Sequence, residues 1–135
     1  MWEICYTRCV PFLFRMLTHL EVKKTPLDNN IVIFSFDGEL DETNVDSTFG
    51  AIIKDIGDFS QARIIFNFQS LLYLNSKSIG YIADISQRSE EAGGKFALVN
   101  LNNEVHDTLD LVGITSVVLV FNSEEAVMAE MQSDL

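Results

Sequence analysis

The chain has few of the residues from which small proteins build disulfides or metal centres. Its 135 residues include two cysteines, Cys5 and Cys9, and two histidines, His19 and His106. Two close cysteines without a second pair or nearby histidines do not have the spacing of a zinc site. We therefore expect free thiols in a reducing cytosol, a cytoplasmic location, and neither a metal nor another cofactor.

Positive charge is also scarce. Nine Lys and Arg residues stand against 20 Asp and Glu residues, which leaves a net charge of −11. Nucleic acid and anionic membrane surfaces would repel such a chain, so a basic protein surface is a more compatible partner, although the charge can also serve solubility alone. No apolar run reaches the roughly 18 residues that a membrane-spanning helix needs, and we expect no membrane insertion.

Apolar residues are plentiful, at 47% of the composition. A domain of this length buries roughly 68% of its unfolded surface, so the core can form without disulfides or metal. We divide the chain into an apolar N-terminal extension, residues 1–19, and one domain, residues 20–135.

The N-terminal extension carries two competing patterns. Trp2, Ile4 and Tyr6 alternate with other residues as in a strand. After Pro11, a helical stripe would instead be formed by Phe12, Leu13, Met16, Leu17 and Leu20. The segment can pack on the domain or on a second copy, so a homodimer through it stays open, as does a natural start near Met16.

Strand and helix patterns alternate from Leu20 onward with short connections, which predicts an α/β fold with a mixed sheet. Strands are predicted at 20–23, 31–36, 62–68, 96–99 and 116–121, and helices at 43–56, 76–91, 103–112 and from 124. Between the second strand and the first helix, 37–41 is predicted to be a loop. Thr43 followed by Asp46 resembles a capping box for that helix, and Asn103 is the expected cap of the third.

The junction between the third strand and the second helix holds the most informative residues. Tyr73 to Gly80 reads Tyr-Leu-Asn-Ser-Lys-Ser-Ile-Gly. Ser76 is predicted in the first turn of the helix, beside unpaired N–H groups and the positive end of the helix dipole, where a phosphate is stabilised. Ser78 is a second candidate phosphoacceptor. The simpler alternative is that Asn75 and Ser76 only cap the helix.

Several short motifs, in this order, resemble the STAS domain, which occurs in sulfate transporters and anti-sigma factor antagonists. They are Gly38-Glu39-Leu40-Asp41 after a strand, the Asn75-Ser76 helix start, Glu91-Ala92-Gly93-Gly94-Lys95, and Leu111-Val112-Gly113-Ile114. The resemblance runs from about Leu20 to Met131. It implies a mainly parallel sheet with about four α-helices packed largely on one side.

The resemblance also implies a role for the junction. In the bacterial antagonists, a serine at the start of the second helix is phosphorylated by a kinase that is also the anti-sigma factor. The unphosphorylated form binds that kinase and frees the sigma factor. The resemblance makes Ser76 the phosphoacceptor and Asp41 the loop aspartate next to it in space. Asn75, Lys77 and Ser78 complete the expected partner-binding set, in a stretch where the family commonly reads Asp-Ser-Ser/Thr-Gly.

The sequence leaves three classes of function open. The resemblance implies a non-enzymatic regulator of transcription that switches partners on an anti-sigma factor or serine kinase. The altered Asn75, Lys77 and Ser78 favour an alternative, namely an unphosphorylated scaffold or subunit of a signalling or transport-associated complex. A small enzyme or nucleotide-binding protein is the third class. The junction lacks the Gly-x-Ser-x-Gly nucleophile elbow, and the acidic residues at 37–42 lack calcium-loop spacing.

Overall fold

The order of strands in the sheet follows the order of the chain in the computed structural model, which describes residues 4–5 and 20–132. Within these residues the strands are β1 Ile4–Cys5, β2 Leu20–Pro26, β3 Ile31–Leu40, β4 Arg63–Leu74, β5 Lys95–Val99 and β6 Leu119–Phe121. The helices are α1 Val45–Ile56, α2 Ser76–Ala92, α3 Asn103–Leu111 and α4 Glu124–Gln132, with a 3-10 turn at Ile114–Ser116.

The sheet is mixed and mainly parallel, as predicted. The neighbouring pairs from β3 to β6 are parallel, whereas β1 with β2 and β2 with β3 are antiparallel. Parallel neighbours need a crossover connection, and α1, α2 and α3 provide these crossovers in turn. The alternating pattern of the sequence therefore predicted the architecture correctly.

Each face of the sheet has its own apolar cluster. The larger cluster joins the sheet to α1, α2 and α3 and contains the buried rings Phe34, Phe36, Phe49, Phe66, Phe68 and Phe96. The smaller cluster packs α4, through Val127 and Met131, against Ile31, Ile33, Ile65, Ala97 and Val99. Three helices therefore lie on one face and α4 lies on the other, which confirms the expected packing largely on one side.

The structure corrects the prediction of a loop at 37–41. β3 continues through Leu40, and β4 continues to Leu74 beside it. Their register shifts between Ser35 and Asp37 and again between Gly38 and Glu39, so bulges let pairing go on past the apolar core. Bulges leave little trace in residue patterns, since they depend on the partner strand.

Two helix starts also differ from the prediction. α1 begins at Val45 without the Thr43–Asp46 capping box. The side chain of Asn44 accepts a hydrogen bond from Asp41 N at 3.1 Å and donates to Glu39 O at 2.9 Å. The cap of α3 is Asn102 rather than Asn103, because Asn102 Oδ1 accepts from Val105 N at 2.8 Å.

The last strand is shorter than predicted and begins at Leu119, because residues Ile114–Ser116 form the 3-10 turn. The predicted end of α2 is confirmed, since Gly93 follows it with a left-handed φ of 90°.

Gly94 is predicted to be the least replaceable of the glycines. A Cβ at this position would lie 2.2 Å from Phe59 O and 2.6 Å from Ala62 O, and backbone carbonyls cannot swing away. We expect Gly94→Ala to lower the free energy of unfolding by about 3 kcal/mol. Gly50→Ala is the matched control, because its Cβ would meet open space in α1, and it should raise that free energy by about 0.5–1 kcal/mol. Urea unfolding of both variants tests this, and equal stabilities would contradict it.

The N-terminal extension is described only at Ile4–Cys5. This short strand pairs antiparallel with Lys23 and Lys24 of β2, in line with the strand pattern predicted there. The predicted helical stripe, the thiol of Cys9 and the homodimer contact lie outside the described residues, apart from Leu20, which is buried in β2. Among the helices that are described, none is long and apolar enough to cross a membrane.

Candidate functional site

The two predicted parts of the site meet at the carboxyl end of the central strands. Leu40 and Leu74, the last residues of β3 and β4, pair side by side, and Asn75 N donates to Leu40 O at 3.2 Å. The Asp41 loop and the start of α2 therefore leave the sheet at the same edge. A surface depression there is lined by Glu42, Val45, Tyr73, Asn75, Ser76 and Lys77. Five of these residues are exposed or partly exposed, and we call them the Ser76 surface: Glu42, Tyr73, Asn75, Ser76 and Lys77.

Asn75 sets the start of α2. Its backbone is extended, and its Oδ1 accepts hydrogen bonds from Ser78 N at 2.9 Å and from Ser78 Oγ at 2.7 Å. Ser76 is consequently the first residue of the helix, and it is exposed. The N–H groups of a first helical turn have no partner within the helix, so the Ser76 hydroxyl lies where the helix dipole is positive.

Ser78 differs from Ser76 in accessibility. It is fully buried, and its hydroxyl donates to the Asn75 side chain. A partner cannot touch this side chain unless the first turn of α2 opens. Phosphorylation of Ser78 remains a prediction, and it would require this opening of the helix. Of the two hydroxyl groups, that of Ser76 is the one on the surface.

We expect Asn75→Ala to lower the free energy of unfolding by about 1–3 kcal/mol. The variant loses the N-cap, which typically contributes about 1 kcal/mol, and it leaves the buried Ser78 hydroxyl without its acceptor. Asn75→Asp keeps an oxygen in the same position and should stay within about 0.5 kcal/mol of the wild type. Thermal or urea unfolding distinguishes the two, and an equally large loss in both variants would contradict the role of Asn75 as a cap.

Asp41 shapes the loop rather than facing the depression. Its carboxylate accepts from Thr43 N at 2.9 Å and from the Thr43 hydroxyl, and its backbone oxygen accepts from Val45 N at 3.0 Å. Glu42, which the sequence analysis considered only within the acidic stretch 37–42, lines the depression instead. The structure therefore brings the Asp41 loop next to Ser76, as expected, but turns the Asp41 side chain back onto its own loop.

Lys77 has a partner that the sequence did not reveal. Its Nζ lies 2.8 Å from Asp46 Oδ2, and Tyr81 OH donates to Asp46 Oδ1 at 2.7 Å. The Tyr81 ring stacks on Phe49 with centroids 4.9 Å apart. The Lys77 and Tyr81 hydrogen bonds hold the pKa of Asp46 below its usual value, and Asp46 raises the pKa of Lys77. Together these groups connect α1 to α2 immediately beside Ser76.

The sequence positions of Lys77, Tyr81 and Asp46 gave part of the information needed to predict these contacts. Lys77 and Tyr81 are four positions apart and so share a helix face, and Asp46 lies in the first turn of α1. Nothing in the periodicity specifies how α1 and α2 pack against each other. The ion pair could therefore be recognised only once both helices were placed on the sheet.

The comparisons with known proteins agree with this geometry. The STAS domain model matches residues 22–127. An anti-sigma F factor antagonist from Paenibacillus polymyxa is 22% identical over 102 residues, which are 76% of this chain and 87% of that protein.

Solved structures share the fold at low identity. A candidate anti-sigma factor antagonist of Thermotoga maritima has 22% identity and a TM-score of 0.75, covering 82% of this chain and 93% of its own. The Bacillus cell fate determinant SpoIIAA in its phosphorylated form has 20% identity and a TM-score of 0.65, covering 82% and 99%.

A similar fold also occurs inside a larger protein. The murine anion transporter solute carrier 26 member A9 has 19% identity and a TM-score of 0.68, over 78% of this chain but 18% of the transporter. The family model spans most of the described residues, and the sheet order and helix placement fit it. The chain belongs to the STAS domain family.

Proposed function

We propose that the protein is an anti-sigma factor antagonist, which binds an anti-sigma kinase through the Ser76 surface and loses that partner when Ser76 is phosphorylated. The observation that carries the proposal is the position of Ser76, exposed at the first residue of α2 and next to the Asp41 loop. The names of the Paenibacillus and Bacillus relatives support it. In this role the chain is a non-enzymatic, cytoplasmic partner that supplies an acceptor hydroxyl.

The transfer step needs only this hydroxyl from the chain. The terminal phosphoryl group of ATP would pass to Ser76 Oγ, ADP would leave, and a base of the kinase would take the hydroxyl proton. The exposure of Ser76 permits this approach without any unfolding of α2.

A phosphate on Ser76 would be tolerated by the fold. It adds about −1.5 to −2 charges, which the helix dipole stabilises by roughly 0.3–1 kcal/mol. Lys77 lines the same depression as Ser76, and its side chain is 60% exposed and paired with the carboxylate of Asp46. It is therefore available for a charge-assisted hydrogen bond to the phosphate.

The same phosphate would not be tolerated in a protein interface on this surface. Glu42 already lines the depression, and Asp46 lies behind Lys77. A partner whose surface fits the unmodified hydroxyl would have to bury an added dianion beside Glu42, and the desolvation of a buried charge can cost more than its pairing returns. Phosphorylation then acts as a switch because the fold accepts the charge and the interface does not.

The proposal is tested by incubating the protein and ATP with a panel of purified anti-sigma kinases from its source organism. The anti-sigma F factor of Paenibacillus polymyxa joins the panel as a heterologous member. Peptide mass spectrometry should find one phosphate, on Ser76, and none in Ser76→Ala. Ser78→Ala should be phosphorylated like the wild type. Absence of phosphate on Ser76 with every kinase would overturn the proposed switch.

A second function is favoured by the residues around Ser76. Where the family commonly reads Asp-Ser-Ser/Thr-Gly, this chain has Asn75 in place of the aspartate and Lys77 in place of the second hydroxyl residue. A similar fold also forms part of an anion transporter. As an unphosphorylated scaffold or subunit, the protein would keep its partner when Ser76 is changed to Asp. The antagonist proposal predicts loss of the partner in that variant, so one binding measurement separates the two functions.

A further inference from the structure

The end of β4 carries two large apolar side chains that face solvent. Leu72 is 60% exposed and Tyr73 is 51% exposed, whereas Leu71 and Leu74 on either side of them are buried. Single exposed apolar residues are common on protein surfaces. Two in succession are less ordinary in a strand, where alternation normally turns every second side chain inward.

A β-bulge accounts for the exposure. Gly38 of β3 pairs with Leu71, and the next residue, Glu39, pairs with Tyr73, so Leu72 is the extra residue of the bulge. Bulges of this kind change the direction of side chains and occur near functional sites. Here the bulge places Leu72 and Tyr73 directly before Asn75 and Ser76.

Hydrogen bonds fix the backbone on both sides of the bulge. Asn102, the cap of α3, donates from Nδ2 to Leu71 O at 2.7 Å. After the bulge, Asn75 N donates to Leu40 O at 3.2 Å. The backbone that presents Leu72 and Tyr73 is therefore fixed before a partner arrives, which reduces the entropy lost on binding.

The surroundings of the pair are acidic. Glu39 is exposed and is the cross-strand neighbour of Tyr73, and Glu42 lines the same depression as Tyr73. Lys77 also lines that depression, but its charge is paired with Asp46. The surface thus consists of an apolar centre with an anionic rim, and its complement is an apolar pocket rimmed by Lys or Arg.

We propose that Leu72 and Tyr73 are the apolar anchor by which the Ser76 surface binds its partner, with the two side chains inserted in an apolar, Lys/Arg-rimmed pocket of the anti-sigma kinase. This inference rests on the proposed function. It adds a contact that does not involve the phosphoacceptor itself, and it places that contact on β4 rather than on α2. Aromatic and apolar anchors of this kind supply most of the affinity in many interfaces.

The anchor is tested with Leu72→Ser and with Leu111→Ser as the matched control. Leu111 is 87% exposed at the C-terminal end of α3, whereas the residue that bonds to Leu71 is Asn102 at the opposite end of that helix. Isothermal titration uses the kinase that phosphorylates Ser76 in the panel above, without ATP. Leu72→Ser should bind at least about tenfold more weakly, and Leu111→Ser should bind within about twofold of the wild type. Equal unfolding midpoints in urea show that both variants are folded.

The outcomes separate the anchor from the proposed function. If the wild type binds the kinase and Leu72→Ser binds equally well, the anchor is overturned while the proposed function stands. If no kinase of the panel binds the wild type, both are overturned. If light scattering shows a wild-type dimer that Leu72→Ser converts to a monomer, the occupant is a second copy of this chain and the proposed kinase pocket is overturned.

Glu39→Gln tests the basic rim of the pocket in the same assay. It should weaken binding at low salt and flatten the dependence of affinity on salt concentration, because one of the attractive charges is lost. An unchanged salt dependence would contradict the Lys/Arg rim.

Discussion

Ser76→Asp is expected to bind the anti-sigma kinase at least about 30-fold more weakly than the wild type. The variant places a carboxylate at the centre of a surface that already contains Glu42 and has Asp46 close by. The desolvation of a carboxylate at a contact that fits a neutral hydroxyl costs about 2–4 kcal/mol, and each 1.4 kcal/mol corresponds to a tenfold change in Kd. Isothermal titration without ATP measures the effect.

Two variants control for other causes of this loss. Ser76→Ala removes the hydroxyl without adding charge and should bind within about threefold of the wild type. Ser116→Asp adds the same charge to the exposed 3-10 turn and should leave the affinity unchanged. Retained binding by Ser76→Asp would contradict the charge switch and would support the scaffold function instead.

Phe66→Ala is expected to lower the free energy of unfolding by about 3–5 kcal/mol. The Phe66 side chain is fully buried at the centre of the larger cluster. Its ring lies 4.9–6.2 Å, between centroids, from five others, namely Phe34, Phe36, Phe49, Phe68 and Phe96. Truncation therefore removes buried apolar area and several edge-to-face contacts at once, and the rigid strands around it cannot collapse into the gap.

Urea unfolding of Phe66→Ala beside Leu111→Ala measures this difference. Leu111 is almost fully exposed, so its truncation should change stability by no more than about 0.5 kcal/mol. A loss of less than about 1.5 kcal/mol for Phe66→Ala would show that the ring cluster is not the principal core. A large loss also predicts weaker partner binding at elevated temperature, because β3 and β4 position both halves of the site.

The architecture could be predicted because it follows from local patterns. Apolar runs bounded by turn residues identified the buried strands, and the regular apolar face of α1 identified an amphipathic helix. The position of Ser76 at the start of α2 was predicted in the same way. Each of these features depends on residues that are close in sequence.

The details that were missed depend on contacts between distant segments. The continuation of β3 through Leu40 depends on β4 as its partner, and the exposure of Leu72 depends on a bulge between the two strands. The burial of Ser78 follows from the packing of α2 against the rest of the fold. The Lys77–Asp46 pair joins residues 31 positions apart, and no periodicity specifies that contact.

The structure changes which residues of the site are expected to contact a partner. The sequence directed attention to the polar residues Asp41, Asn75, Lys77 and Ser78. In the structure, two of these have internal roles, since Asp41 orders its loop and Ser78 is buried under Asn75. The exposed surface that remains is Ser76 with Lys77 and with acidic and apolar neighbours. Partner recognition is therefore expected to depend on shape and charge around a single hydroxyl.

The most direct test compares the affinity of one kinase for phosphorylated and dephosphorylated forms of the same protein sample. Protein phosphorylated on Ser76 is purified, half of it is treated with a phosphatase, and both halves are titrated with the kinase in the absence of ATP. We predict binding at least about 100-fold weaker for the phosphorylated half and full recovery after phosphatase treatment. Equal affinities of the two halves would contradict the account.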